Sequence, residues 1–450
     1  MRHLIMFACL LFTLSCYKKH DPVISDNEII NSWIEENMKR YYLWNNRIRT
    51  EGINKNEDPG QYFKRIVVPE DGCSYIEKDF KSLVSKLSES KKPGYAHYMY
   101  STDAGEILGK ITYVVNKSPA DEAGLKRGMV FTKINRTKLS VNNYQDLISQ
   151  TDDNHILTIR DTNSSETDYD IPVAGFVENP VFLDTVYNFD SRRIGYLVYN
   201  SFISDDGDLS KKYDVLLNDV FEKFKNRNIN ELILDLRYNY KGDILNSVIM
   251  ASLITPNLNI KEIYATYQYN KSLQQIFRDE SGADYLNLYY TNMINNNALN
   301  NIGDNLDRVF VLTSPKTGVM GEILVNSLKL SIDVVVVGNK TVGRNMFSIC
   351  LYESDPEKQR INTWAIVPVV MQISNKTGNM DISLNPAIEI TEPLYDNTPL
   401  GDVNEKVLSA TLNTILENSS LSTARKYTND ENKIIDQSPQ KNIINISLIN

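Results

Sequence analysis

The stretch that most constrains the fold spans residues 308–337. Residues 308–313 are short, apolar and β-branched, which predicts a buried strand, and residues 318–330 carry apolar side chains at helical spacing. Residues 333–337 form a second buried apolar run. A strand, a tight turn, a helix and a strand predict a βαβ unit and therefore a parallel sheet. Sites in such sheets form beyond the carboxyl ends of the strands, where helices begin, and Gly321 lies at that place.

The run LTSPKTGVMGE (residues 312–322) carries a family resemblance. It resembles the core of the carboxy-terminal processing (tail-specific) serine peptidases, which have Leu-Thr-Ser, two variable residues and Thr-Ala-Ser-Ala-Ser-Glu. In that family the nucleophilic serine immediately precedes the glutamate, and Gly321 occupies this position. The family's general-base lysine ends a run Gly-Glu-x-Thr-x-Gly-Lys. The matching run GNKTVGR (residues 338–344) ends in Arg344.

Both replacements remove chemistry. Glycine has no hydroxyl to attack a carbonyl carbon, and arginine keeps its proton near neutral pH and cannot act as a base. A third replacement lies in DLRYNYKG (residues 235–242), which resembles the family's Asp-Leu-Arg-x-Asn-x-Gly-Gly. The first of the paired glycines offers its N–H to the oxyanion in the family, and Lys241 stands there, before Gly242. The resemblance therefore implies a peptidase fold that lacks its catalytic groups.

The resemblance covers residues 26–416 and implies a multidomain α/β protein with a crotonase-like core. The late βαβ pattern and the β-rich module before it agree with this fold class. We predict five segments along the chain. They are a lipoprotein signal peptide (1–16), a tether and N-terminal helical region (17–93), a PDZ-like domain (94–174), a tail-specific peptidase-like α/β domain (175–417) and a polar C-terminal tail (418–450). Residues 274–305 are rich in Asn and Tyr and are interpreted as a surface insertion.

The PDZ resemblance rests chiefly on SPADEAGLKRG (residues 118–128). PDZ domains bind extended peptides, often C-termini, by adding a strand at a sheet edge. The resemblance assigns peptide binding to a loop formed by Gly94, Tyr95, Ala96 and His97. A purely structural PDZ domain is the alternative.

The first sixteen residues predict export. Arg2 and His3 are basic, residues 4–14 are apolar, and this run is too short to span a bilayer. Ser15 followed by Cys16 resembles a bacterial lipobox, which implies lipidation of Cys16, a membrane anchor and a cell-envelope location. Plain secretion is the alternative.

Composition excludes several other classes of function. The net charge of −9 argues against a nucleic-acid binder. Four histidines without metal-ligand spacing predict no metal site, and no cofactor is expected. Cys73 and Cys350 are interpreted as two buried thiols, with a disulfide as the alternative.

The residues favour a catalytically inactive peptidase homologue that binds peptides or protein C-termini. Two alternatives stay open. One is an active serine peptidase with a displaced nucleophile, for which Ser314, Ser327 and Ser348 are the nearest candidates. The other is a structural component of a surface complex.

Overall fold

The computed structural model describes residues 25–88, 91–205, 207–393, 396–417, 425–427, 433–437 and 445–448. Most of the predicted signal peptide and tether, including Cys16, lies outside these residues. Within the described ranges, no helix is both long enough and apolar enough to span a membrane.

Residues 25–88 form a helical region, as predicted. Its first helix begins after Ser25, whose hydroxyl accepts the N–H of Glu28, and Ile34 and Met38 face the core without exposure. Asp58 caps the second helix in the same way. The elements are α1 (Asp26–Tyr41), α2 (Pro59–Ile66), β1 (Tyr75–Glu77), α3 (Phe80–Ser88) and β2 (Lys91–Lys92).

The next module is an antiparallel sheet with its own apolar core, which we call the satellite sheet. Its strand order is β3-β4-β5-β7-β8, with β6 beside β5. The core beneath it contains Met99, Phe131, Leu147 and Ile148. The elements are β3 (Tyr95–Ser101), β4 (Ile107–Val114), α4 (Pro119–Glu122), β5 (Val130–Ile134), β6 (Thr137–Lys138), α5 (Tyr144–Ser149), β7 (His155–Arg160), β8 (Glu166–Ile171) and β9 (Ala174–Gly175).

The predicted βαβ unit is present in the following part of the chain. Residues 308–313 and 334–338 pair in parallel, and the helix between them begins at Val319. The elements are β10 (Val181–Phe189), β11 (Arg192–Tyr199), α6 (Lys212–Asn226), β12 (Glu231–Asp235), α7 (Ile244–Ile254), β13 (Ile263–Tyr269), α8 (Lys271–Ser281), β14 (Asn287–Tyr289), β15 (Met293–Ile294), β16 (Asn297–Ala298), β17 (Arg308–Thr313), α9 (Val319–Leu328) and β18 (Val334–Gly338).

The last part of the chain completes the sheets. The segment predicted as a polar tail contributes three short strands. The elements are β19 (Phe347–Tyr352), β20 (Ala365–Val367), β21 (Val369–Asn375), β22 (Ile388–Ile390), α10 (Lys406–Leu416), β23 (Arg425–Tyr427), β24 (Lys433–Gln437) and β25 (Asn445–Leu448).

Two large sheets build the α/β part of the molecule. The core sheet has the order β10-β11-β12-β17-β18-β22-β23 and is parallel from β11 onward. The second sheet has the order β1-β20-β19-β21-β13-β14, with β25 beside β19. Most of residues 274–305, interpreted as a surface insertion, are exposed or half-buried, but Tyr290, Ile294 and Ile302 anchor the segment in the main core. The mixed α/β, multidomain fold class is confirmed.

A buried ionic network ties the core sheet to α10. Arg237, just beyond β12, is 1% exposed and donates to Asp235 at 2.7 Å and to Glu405 at 2.8 Å. Glu405 also caps α10 by accepting the N–H of Leu408. Asp235 and Arg237 therefore form a buried ion pair at the end of the strand. Glu405, the second partner, lies far along the chain.

We expect Arg237→Leu to lower the free energy of unfolding by about 3–5 kcal/mol, because two buried carboxylates lose their counter-charge. The matched control is Arg360→Leu, because Arg360 pairs with Glu357 at 3.0 Å while both side chains are about three-quarters exposed. This control should shift stability by no more than ~0.5 kcal/mol. Urea unfolding measures both, and equal shifts would contradict a special role for the network.

Candidate active site and peptide edge

The turn between β17 and α9 is fastened to the end of β12 by side chains. The hydroxyl of Thr317 donates to the carbonyl of Leu236 at 2.9 Å and accepts the N–H of Ser314. The hydroxyl of Ser314 donates to the carbonyl of Arg237 at 2.5 Å. These bonds fix the position at which α9 begins relative to the neighbouring strand.

Gly321 lies in the first turn of α9 and is buried. A Cβ atom built at this glycine would lie 3.1 Å from Leu236 Cδ1 and 3.1 Å from Thr317 Cγ2. Both distances are tighter than ordinary van der Waals contact. The position therefore lacks a hydroxyl, and its side-chain space is also narrowed by two neighbours.

The family motif quoted for this run has a second serine, two residues before the first. In the gap-free match this serine falls on Val319, which is 8% exposed and part of the main apolar core. Of the three serines in the motif, Ser314 is present, and the two that match Val319 and Gly321 are absent. Neither Val319 nor Gly321 can therefore supply a hydroxyl, whichever of the two positions is compared.

The run that ends in Arg344 is brought beside α9 as the family resemblance requires. The N–H of Gly343 donates to the carboxylate of Glu322 at 2.6 Å. Burial raises the pKa of Glu322. The side chain of Arg344 is exposed, and its charge opposes the rise that burial causes in the pKa of the Cys73 thiol. Cys73 and Cys350 are both free thiols, and Cys350 is the buried one.

The loop that carries Lys241 and Gly242 is packed against the end of β11. The N–H of Phe202 donates to the carbonyl of Lys241 at 3.0 Å. Gly242 has a φ of +151°, and a Cβ there would lie 2.3 Å from Phe202 Cβ, so only glycine fits. Asn239, in the same loop, accepts the N–H of Gly318 at 2.6 Å. The N–H of Gly318, just before α9, is therefore already hydrogen-bonded within the protein and is not free to bind a ligand.

The three alternative hydroxyls do not form a nucleophile–base pair. Ser314 is held by the Arg237 carbonyl, as described above, and Ser327 donates to the carbonyl of Tyr264 at 3.1 Å. Ser348 is 2% exposed in β19, and its hydroxyl has no hydrogen-bond partner among the described residues. None of these contacts supplies an amine or imidazole base.

The predicted peptide-binding residues lie differently from the expected loop. Gly94 precedes β3, but Tyr95, Ala96 and His97 belong to the strand itself, which corrects the expectation. The hydroxyl of Tyr95 is 2.8 Å from Nε2 of His155. The ring of His97 is buried, and burial together with the charge of Lys316 lowers its pKa to about 3. These two side chains point inward, so a ligand would meet the backbone of β3.

Comparisons with known proteins agree with this geometry. The model of peptidase family S41 matches residues 193–351, and the model of the peptidase S41 N-terminal domain matches residues 29–80. These two segments of the chain are therefore similar to peptidase family S41. The match to the first family model includes Gly321 and Arg344, which are thus compared within the peptidase domain.

A comparison with solved structures finds one with the same fold and others with weaker similarity. A putative S41 protease from Bacteroides fragilis NCTC 9343 is 23% identical, with 86% of this chain and 98% of that chain covered and a TM-score of 0.65. The photosystem II D1 C-terminal processing protease is 14% identical, with 82% and 95% covered and a TM-score of 0.49. A comparison with curated proteins gives no significant match.

Sequence reasoning gave no role to Lys316 of this S41 homologue, although it stands in the motif. Its amine is buried. It lies 4.5 Å from the centre of the Tyr98 ring and donates to the carbonyl of His97 at 3.4 Å. Burial lowers its pKa to about 8, although the charge of Glu392 acts to raise it. Lys316 thus joins the α9 turn to the satellite sheet. Only the rarity of a lysine in an apolar turn could have signalled this from the sequence.

Glu392 was also missed, and it anchors the same junction. Its carboxylate pairs with Arg127 of the satellite module at 2.5 Å and accepts the hydroxyl of Tyr238 at 2.7 Å. Burial alone would raise the pKa of Glu392, but the charges of Arg127 and Arg237 outweigh it and lower that pKa.

A cavity of about 170 Å³ remains at the carboxyl ends of the core strands. Tyr98 lines it from the satellite sheet, and Ser314 and Glu392 line it from the core. Ligand pockets commonly measure roughly 300–1,000 Å³. This space is smaller than an ordinary ligand pocket.

We expect the stability difference between the parent and Lys316→Met to depend on pH. Below pH 8 the amine is charged in the folded and unfolded states, so the folded state bears the full cost of its burial. Between pH 8 and 10.5 the folded state releases the proton first, so the parent gains stability relative to the variant. The gain should reach about 3 kcal/mol.

Urea unfolding across this pH range measures the difference. The exposed Lys358→Met is the control, and its unfolding free energy should follow that of the parent at every pH. A constant difference between parent and Lys316→Met would contradict the buried-amine interpretation.

Proposed function

We propose that this chain is a catalytically inactive S41 peptidase homologue of the cell envelope that binds extended peptide or protein segments. The observation that carries the proposal is the absence of a hydroxyl at positions 319 and 321, where the motif has serines, together with the crowding of Gly321 by Leu236 and Thr317. In a serine hydrolase, loss of the nucleophile costs about a million-fold in turnover. The proton-holding Arg344 in the lysine position supports the same conclusion.

Peptide binding is supported by what the chain retains. We interpret the satellite sheet of residues 94–174 as a PDZ domain. Among the strands that these residues contribute, β3 lies at one edge of the sheet. Addition of an extended peptide to such an edge uses main-chain hydrogen bonds and tolerates varied sequences. The chain's own groups can therefore support recognition without supporting hydrolysis.

We expect the purified protein from Ser25 onward to leave denatured casein and C-terminal-tail peptides intact and to remain unlabelled by a fluorophosphonate probe. Two double variants, Gly321→Ser with Arg344→Lys and Val319→Ser with Arg344→Lys, test which position once held the nucleophile. Labelling of either variant, with none of the parent, would support the family alignment. Cleavage by the parent that is lost in Ser314→Ala or Ser348→Ala would overturn inactivity and identify a displaced nucleophile.

We also propose that Cys16 is lipidated and anchors the protein to a membrane, because a small residue and a cysteine end the apolar leader. In cells fed radiolabelled palmitate, the full chain should incorporate label and sediment with membranes. Cys16→Ala should lose both, whereas Cys9→Ala, within the leader, should lose neither. A labelled Cys16→Ala protein would refute the anchor.

A further inference from the structure

The outer edge of β3 is occupied by the chain's own C-terminal segment. Strand β3 pairs with β4 on one side and with β24 on the other, both antiparallel. Lys433 lies opposite Ser101 and Gln437 lies opposite Tyr98, with a register shift between Ile434 and Asp436. The segment therefore completes the satellite sheet as a sixth strand on the path from β24 to β8.

The added strand also supplies an apolar side chain. Ile435 is partly buried and packs against the satellite core, which includes Met99 of β3 and Leu147 and Ile148 of α5. Backbone pairing along an edge strand, with one side chain entering an apolar core, is how sheets accept extended peptides. The tail thus uses both kinds of contact that an external peptide would use.

The opposite edge of the sheet is unsuited to strand addition. Strand β8 carries Glu166, Asp168 and Asp170, and the first two pair with Lys133 and Arg136. Charged side chains along an edge strand disfavour further pairing. Among the described strands of the satellite sheet, β3 is therefore the edge at which a peptide would be accepted.

Along the chain, β24 lies between two other strands of the C-terminal segment, and each of these pairs with a different sheet. The preceding β23 pairs with β22 at the end of the core sheet, and the following β25 pairs with β19 in the second sheet. A segment tethered in this way acts at an effective concentration in the millimolar range. An external peptide must therefore compete with a local ligand.

We propose that Lys433–Gln437 is an intramolecular ligand that closes the peptide edge of the satellite sheet, so that an external strand binds only when the tail leaves β3. The inference rests on the proposed peptide binding and adds a regulatory element to it. The class of ligand is also defined: an unmodified extended segment with an apolar residue at the place of Ile435.

The test uses a fluorescein-labelled peptide with the sequence of residues 431–438 and fluorescence anisotropy. Four forms of the chain from Ser25 onward are compared with the parent: a deletion of residues 429–450, a deletion of residues 441–450, Ile435→Asp and Ile435→Val. The first deletion removes β24 and β25, and the second removes β25 alone. Ile435→Val is the matched control for Ile435→Asp because it keeps an apolar side chain.

We expect the deletion of residues 429–450 and Ile435→Asp to bind the peptide at least ~10-fold more tightly than the parent. The deletion of residues 441–450 and Ile435→Val should stay close to the parent. Hydrogen exchange provides a second readout, because β3 amides should exchange faster in Ile435→Asp than in Ile435→Val. This comparison applies even if the long deletion fails to fold.

The two proposals fail differently. We call the deletion of residues 429–450 and Ile435→Asp the open forms. Equal, measurable binding by the parent and both open forms would overturn tail closure and leave peptide binding intact. No binding of the tail peptide by the open forms, with equal exchange of β3 in the two Ile435 variants, would overturn tail closure. If the open forms also bound no peptide in an array of C-terminal peptides, the proposed peptide binding would be overturned as well.

Discussion

The buried guanidinium of Arg237 is the interaction on which the arrangement of the molecule depends. It follows the central strand β12 directly and neutralises Asp235 beside it and Glu405 at the start of α10. Tyr196, from the neighbouring strand β11, donates to Asp235 at 2.8 Å. The carbonyl of the same Arg237 holds the hydroxyl of Ser314. One residue therefore positions a strand end, a C-terminal helix and the turn before α9.

The same network reaches the satellite sheet. Arg127 lies between Glu392 and Tyr238, and the Tyr238 ring stacks on Tyr113 of β4 at 5.2 Å between centroids. Buried charges are tolerated only when they are paired, so these contacts constrain how the satellite module can sit on the core. Tyr98 consequently lies at the carboxyl ends of the core strands, where it lines one cavity with Ser314 and Glu392.

The hydrogen bonds around the S41-like motif are present although neither Val319 nor Gly321 offers a hydroxyl. The turn of residues 314–317 keeps hydrogen bonds that position a helix N-terminus, and Glu322 still meets the backbone of Gly343. Such contacts stabilise the fold whether or not a nucleophile is present. They do not depend on a catalytic serine and are therefore compatible with the proposed binding role.

The sequence by itself determined the local elements and the missing groups. The β-branched run at residues 308–313 and the helical spacing after Gly318 required a βαβ unit, and no fold can give Gly321 a hydroxyl. The tertiary structure decided the rest: Leu236 beside Gly321, the burial of Lys316, the pairing of Arg237 with Glu405 and the pairing of β24 with β3. The physical reason is that hydrophobic periodicity reports which face of a segment is buried, whereas contacts between distant segments depend on packing that no local spacing encodes.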